Sequence, residues 1–422
     1  MRRFNLGEVS MWFKQAARTL LTGRSSRYFD DETIQFNLRN IIPTVDESCS
    51  AMRLNVLLPS LSASGAFGGL TTQVSLPVQM FAHGLEELGW KLRFISLKPA
   101  PSDDDNLAKN HMERYKVSSE LVSFVSLNDG NQVPVSANDV FLGSLWFCHI
   151  WALPLLNFQF ERFGSAKRPY ISLVQDYEPC FHPWSSAFML ARGAYDSDWP
   201  KRIIFNSSEL SEYYKRQGHK FERSVVFEPV LNYSLRDALH AEVRPNKERR
   251  ILFYGRPDDR RNCFYLGRRA LEIWSERYAE SSRWKVISVG AKYPAFRLSK
   301  GEKVEVHGKL PLDLYISELQ RAAVGLSLMA SPHPSYPPLE MAHFGGLTVS
   351  NNFECKNITD WHENLFISET MSPDSLANAI IQCCERFDIN NRVGINGRTH
   401  RREYLCNIPA NVLRNIVNLI ID

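Results

Sequence analysis

The chain alternates short apolar runs with helical stretches, and it does so in two separate series. From Met52 onward, RLNVLLPSL is a brief apolar run ending in Pro and Ser, followed by a Gly/Ser loop, a long helical stretch through HGLEELG and a second run, WKLRFISL. Strand, loop, helix, strand is the pattern of a parallel sheet, whose neighbouring strands need the crossover that a helix supplies. DVFLGSLW (139–146), PYISLVQDY (169–177), RIIFNSS (202–208) and SVVFEP (224–229) extend the series as short apolar strands bounded by breakers. Between Tyr233 and Arg250 the chain turns charged, and RPNKERR reads as a hinge. The alternation then restarts with RRILFYGRP, a helix through LGRRALEIWSERYA, WKVISVG, VEVHGKL, the helix PLDLYISELQRA, VGLSLMASP, a helix at Glu340 and LTVSN. The expectation is α/β: two Rossmann-like, doubly wound domains facing one another across a cleft.

A length of 422 residues suits two domains better than one core. The formal charge of +4 is far short of a nucleic-acid binder's surface, and it suits a small anionic ligand or an acidic lipid surface. Cysteines at 49, 148, 180, 263, 355, 383, 384 and 406 form no CxxC, which in so large a chain reads as reduced and cytoplasmic. Lys14, Gln15 and Arg18 break the first apolar run well short of a signal-peptide core or a bilayer span. Residues 1–29 carry six basic side chains against one acid, with Met11, Trp12, Phe13, Leu20 and Leu21 placed amphipathically. A helix lying on anionic lipid at the inner face of the plasma membrane and a helix docked on the protein's own body both fit. Residues 25–50 read as a polar linker. The expected division is an extension over 1–50, a first domain over 51–240, a second over 241–400, and a helix over 401–422 returning to the first.

Several loops that follow strands could carry chemistry. In SASGAFGGLTTQ, Gly65, Gly68 and Gly69 allow close approach to backbone N–H groups at the start of a helix, where a phosphate is the natural guest. The spacing is neither GxGxxG nor a Walker loop. In ILFYGRPDDRRN, Arg256 follows the strand-ending Gly255, where its planar fork can hold phosphate oxygens; Arg261 lies five residues on. Lys309 follows Gly308 in VEVHGKL by the same logic. In SPHPSYPPLEMAHFGG, Pro337 and Pro338 open a helix that stops at Gly345 and Gly346, which puts Glu340 in the first turn. There Glu340 either accepts from sugar hydroxyls or caps its own helix, while Ser335 and Tyr336 offer an N–H or a phenol to phosphate. Asp176 and Glu178 end an apolar strand in LVQDYEP, and Trp146 and His149 follow FLGSLW as core filler or sugar contacts. The run Asp103-Asp104-Asp105 contains a formal DxD, but it sits in a polar loop and reads as solvent-facing; no metal is expected.

From GRPDDRRN through HGKLPLDLYISELQRAAVGLSLMASPHPSYPPLEMAHFGGLTVSN the chain resembles the C-terminal domain of the retaining GT-B glycosyltransferases of family 4. HGLEELGWKLRFISL and the Gly-Gly loop are similar to their N-terminal domain, so the resemblance covers roughly 52–400. Within that family it looks closest to rhamnosyltransferases that extend rhamnan chains of bacterial surface glycans, such as the S-layer enzyme using dTDP-β-L-rhamnose. The resemblance implies that Arg256 and Lys309 neutralise the donor diphosphate, that Arg261 adds a second basic residue, and that Glu340, the second acid of an E-x7-E signature, binds the ribose. The first acid of that signature would stand at 332, where this sequence has Pro332. Tyr336 then becomes the phosphate or sugar contact, and Asp176 would orient acceptor or donor sugar.

The resemblance further implies retention of configuration without a metal or other cofactor. The leaving diphosphate would be stabilised by Arg256, Lys309 and the backbone near Gly68 and Gly69. The partners implied are the donor dTDP-β-L-rhamnose and a rhamnose-containing glycan, free or lipid-linked, with no nucleic acid. A transferase using another nucleotide sugar and a non-catalytic nucleotide-sugar-binding subunit stay open as alternatives.

Overall fold

Every residue of Arg53–Leu58 is buried, which requires packing on both faces of the sheet. Side chains alternate along it. Leu54, Val56 and Leu58 join helix Gly69–Met80 in one core, whereas Leu57 joins helix Trp146–Phe163 in another. The molecule is described by a computed structural model covering residues 38, 40–63, 69–98, 102, 106–127, 130, 132–164, 166–240 and 245–422. The basic extension over 1–29, Gly65, Gly68 and the Asp103–Asp105 run lie outside the described residues.

In chain order the strands are β1 (Ile42–Val45), β2 (Arg53–Leu58), β3 (Lys91–Ser96), β4 (Val122–Ser126), β5 (Gln132–Val135), β6 (Asp139–Gly143), β7 (Tyr170–Val174), β8 (Lys201–Phe205), β9 (Arg223–Val226), β10 (Glu248–Gly255), β11 (Lys285–Gly290), β12 (Glu305–Gly308), β13 (Ala322–Leu326), β14 (Leu347–Ser350) and β15 (Leu365–Ile367). Among the described residues, β4-β3-β2-β6-β7-β8-β9 form one sheet and β12-β11-β10-β13-β14-β15 another, with every pairing parallel. The order of progression reverses between β2 and β6 and again between β10 and β13. These two switch points leave crevices at the carboxyl ends of their strands.

The second sheet is also covered on both faces. Ile251 and Phe253 pack with helices Phe264–Arg277 and Pro373–Ile389, and Leu252 packs with Leu319, Leu339 and Met341. The last helix, Ala410–Ile421, lays Leu413, Ile416, Leu419 and Ile420 into the first lobe's core, and the Leu419 carbonyl accepts from Arg202 at 2.9 Å.

Three local expectations are corrected. Within the supposed 25–50 linker, β1 pairs in parallel with β5 and Ile41 is buried, because one short strand finds a partner far along the chain. The run 139–146 is a strand only to Gly143; Trp146 already opens a helix that continues to Phe163 despite Pro154 inside it. The charged hinge region contains helix Tyr233–Leu239, whose Leu235 and Leu239 pack into the second lobe on the near side of the expected boundary at 240.

At the amino-terminal edge of the first sheet, Asp139 is fully buried and holds two arginines. Arg53 donates to it twice, at 2.7 and 2.9 Å, and Arg93 lies at 3.6 Å. Removing one member of such a group strands the others in a medium that solvates charge poorly. Asp139→Ala is expected to lower unfolding free energy by about 3–5 kcal/mol in urea denaturation, and a loss below about 1 kcal/mol would contradict this account.

Candidate functional site

Parallel strands deliver their following loops to a single edge, and here the carboxyl edges of the two sheets meet. After β7 comes Asp176 and after β8 Asn206; after β10 come Arg256 and Arg261, and after β13 comes the proline-rich loop. Their side chains interlock. Asp176, 8 % exposed, accepts from Ser331 Oγ at 2.5 Å and from the Tyr177 N–H at 2.8 Å, and its second oxygen accepts from Arg261 Nη1. Arg261 also binds Asp259 at 3.1 Å and stacks 3.9 Å over the Phe181 ring, so its guanidinium spans the seam. Tyr336 donates its phenol to Asn206 Oδ1 at 3.0 Å and also bonds Thr72. One residue of the second lobe thus reaches two elements of the first.

The sequence-predicted residues fall into two groups. Arg256 and Lys309 are neighbours on the second lobe. Arg256 lies 3.2 Å from Asp259, and burial followed by the Arg256 charge holds the Lys309 ammonium below its ordinary range. Asp176, Arg261 and Tyr336 instead hold the lobes together. Gly69 opens helix Gly69–Met80 facing Gln175, whose side-chain amide finds no partner among the described residues. The Asn206 Nδ2 is equally unpartnered. At a seam between lobes such groups hold hydrogen-bonding capacity that a polar ligand would complete.

Two readings of the proline loop need correction. The Ser335 N–H is already donated to His333 Nδ1 at 3.0 Å, within a loop where Ser335 itself takes a φ of 72°. The helix begins at Tyr336, so Glu340 stands in its second turn and does not cap it. Glu340 accepts from the Tyr315 hydroxyl at 2.7 Å, and its enclosed position pushes its pKa up to about 7. His149 and Trp146 are buried, His149 against Tyr170 with centroids 4.7 Å apart, and they serve as core.

Two residues that the sequence reading left out or underused complete the seam. Lys356, 1 % exposed, donates to the Met329 carbonyl at 2.8 Å, and burial pulls its pKa down to about 7 while Asp176 opposes the shift. Nothing in its local pattern, NNFECKN, marks it. Glu178 is 2 % exposed and accepts from the Trp146 N–H at 2.5 Å, supplying a cap that Leu145 cannot to helix Trp146–Phe163. Burial, helped by Asp176, pushes Glu178 up to about 8.

Two doubly wound lobes joined edge to edge at their switch points are the GT-B fold. Solved structures similar over most of the chain bear this out. Sucrose-phosphate synthase from Thermosynechococcus elongatus superposes with a TM-score of 0.52 at 14% identity, covering 88% of this chain and 95% of its own. TarM superposes at 0.56 and 7% identity, covering 89% and 100%. An α,α-trehalose-phosphate synthase (UDP-forming) from Burkholderia xenovorans, in complex with glucose-6-phosphate, superposes at 0.53 and 10% identity, covering 87% and 99%. Within that fold the chain carries both WsaF domains in order, matching the WsaF N-terminal domain over 53–208 and the WsaF C-terminal domain over 249–381. It is also 28% identical over 249 residues to the O-antigen biosynthesis protein RfbC of Myxococcus xanthus, covering 58% of this chain but only 19% of that protein's length. Among the described residues no helix is long and apolar enough to cross a membrane.

The raised Glu178 carboxyl gives a pH test. Below about pH 4.5 the folded and unfolded chains both carry it protonated. Between 4.5 and about 8 only the unfolded chain ionises, so this group withdraws stability as pH rises and the loss is complete above about 8. Glu178→Gln, which keeps an acceptor for Trp146, is expected to gain on wild type by a few kcal/mol between these limits in urea titrations at successive pH values. A pH-independent difference would mean that Glu178 is ionised in the folded chain.

Proposed function

We propose that this protein is a retaining glycosyltransferase of bacterial surface-polysaccharide synthesis, and that it transfers L-rhamnose from dTDP-β-L-rhamnose to a hydroxyl of a growing chain. The observation that carries the transferase reading is the pair Arg256 and Lys309 at the carboxyl edge of the second sheet, Arg256 after the switch-point strand β10 and Lys309 after the edge strand β12. Two adjacent cations repel one another, and a diphosphate relieves that cost while tying both down. Both WsaF domains, and the similarity to the O-antigen biosynthesis protein RfbC, support a polysaccharide product. The rhamnosyl donor rests on the resemblance of the SPHPSYPPLE loop, where Pro332 replaces an acid that would meet sugar hydroxyls.

In the reaction the anomeric C–O bond breaks and its electron pair passes to the diphosphate oxygen. Arg256 and Lys309 would meet that charge as it develops, and the N-terminal turn of helix Gly69–Met80 would add its amides from the other lobe. The acceptor hydroxyl attacks the anomeric carbon on the face the diphosphate leaves, which retains configuration, and the departing phosphate oxygen takes the hydroxyl proton. Glu340, set between Tyr315 and the proline loop, would hold the nucleoside sugar. No protein base is assigned, because the best-placed acid, Asp176, already receives three hydrogen bonds. Pro332 also favours a second reading, a nucleotide-sugar-binding subunit without turnover.

Thermal unfolding against dTDP, UDP and GDP checks the donor. At about a hundred times its Kd the cognate diphosphate adds roughly 2.7 kcal/mol of apparent stability. We expect dTDP to give this shift; a response to UDP or GDP alone would move the donor assignment, and binding without transfer to rhamnose-terminated glycans would favour the second reading.

Arg256→Ala and Lys309→Ala are expected to weaken dTDP binding and turnover together. Glu340→Gln is expected to weaken thymidine as much as dTDP. Undiminished turnover in both cation variants would remove the pair from the mechanism.

A further inference from the structure

The strands β10, β11 and β12 lie side by side, and each ends in a glycine: Gly255, Gly290 and Gly308. A basic residue follows each within two positions: Arg256, Lys292 and Lys309. The glycines are where the neighbouring stems cross. A Cβ added to Gly290 would stand 3.0 Å from Arg256 Cγ, and one added to Gly308 would stand 2.4 Å from Lys292 Cγ. Arg256 therefore leans over the end of β11, and Lys292 leans over the end of β12 toward the residue that precedes Lys309. The loop between them is tied to β10 by the Ala291 N–H, which donates to the Gly255 carbonyl at 3.1 Å.

Of the three cations Lys292 is the one nothing yet explains. It is exposed, and among the described residues its ammonium makes no hydrogen bond and no ion pair. Asp259 pairs with Arg256 and with Arg261, and Glu305 lies 3.5 Å from His307, while Lys292 pairs with neither acid. Its stem crosses Gly308, the residue before Lys309, and so lies at the sheet edge that already carries Arg256 and Lys309, where an anion with several charged oxygens could engage all three.

We propose that Lys292 is a third donor-binding cation, which with Arg256 and Lys309 cradles the diphosphate of a nucleoside diphosphate. This rests on the transferase reading above and adds to it a residue and a mode of binding: the three groups come from three successive strand ends, so they meet a ligand lying across the sheet edge. Gly308 is then a positioning residue. It keeps the path of the Lys292 stem open, and its φ of 71° also favours glycine.

The test is isothermal titration of wild type, Lys292→Ala and Lys292→Arg with dTDP, UDP and GDP, and with thymidine and uridine as uncharged probes. For the diphosphate that wild type binds, Lys292→Ala is expected to raise Kd about tenfold at low salt and less at high salt, to leave nucleoside affinity unchanged, and to be largely rescued by Lys292→Arg. Equal affinity of wild type and Lys292→Ala for the diphosphate overturns the inference while leaving the transferase reading intact. An equal loss for nucleoside and diphosphate overturns the phosphate role. If wild type binds none of the three diphosphates, the inference and the reading beneath it both fall.

Discussion

A parallel sheet sends every loop that follows a strand to the same edge, and this constraint organises the whole molecule. Two such sheets set edge to edge bring loops from separate domains into one seam without any long insertion. Each lobe is stabilised by ordinary burial on both faces of its sheet, and that burial is indifferent to what the loops carry. The loops are thus free to present polar groups that a core could not accommodate.

The seam has two electrostatic characters. On one side Asp176, Arg261 and Ser331 form a closed set in which donors and acceptors are matched, and Tyr336 adds a neutral bridge to Asn206. On the other side Arg256, paired with Asp259, stands beside Lys309, whose ammonium it helps hold below its ordinary range. The matched set sets how the lobes meet, and the cations are the groups to which the proposed function assigns the donor diphosphate. Gln175 and the amide nitrogen of Asn206 lie at the same seam with unmet hydrogen-bonding capacity.

Burial acts on the ionisable groups around the seam in opposite directions. Glu178 and Glu340 are pushed toward the neutral acid and Lys356 toward the neutral amine, each because the surrounding protein solvates charge less well than water. Near neutral pH Glu178 is therefore held as the acid, while Glu340 and Lys356 stand close to their titration midpoints.

The sequence by itself determined the strand and helix alternation, the division into two lobes, and the strand-end positions of Arg256 and Lys309. Glycine followed by a cation after an apolar run is a local pattern, and backbone geometry alone turns it into a loop at a sheet edge. The placement of Glu340 by the prolines before it was wrong by one or two residues, enough to move it from the first turn to the second, because the helix starts at Tyr336 before either proline. Only the tertiary structure decided that Arg261 would meet Asp176, 85 residues away, that β1 would find β5, and that the stem of Lys292 would cross Gly308. Those contacts depend on how sheets twist and lobes dock, and no periodicity or propensity in a single segment encodes the position of a partner in another.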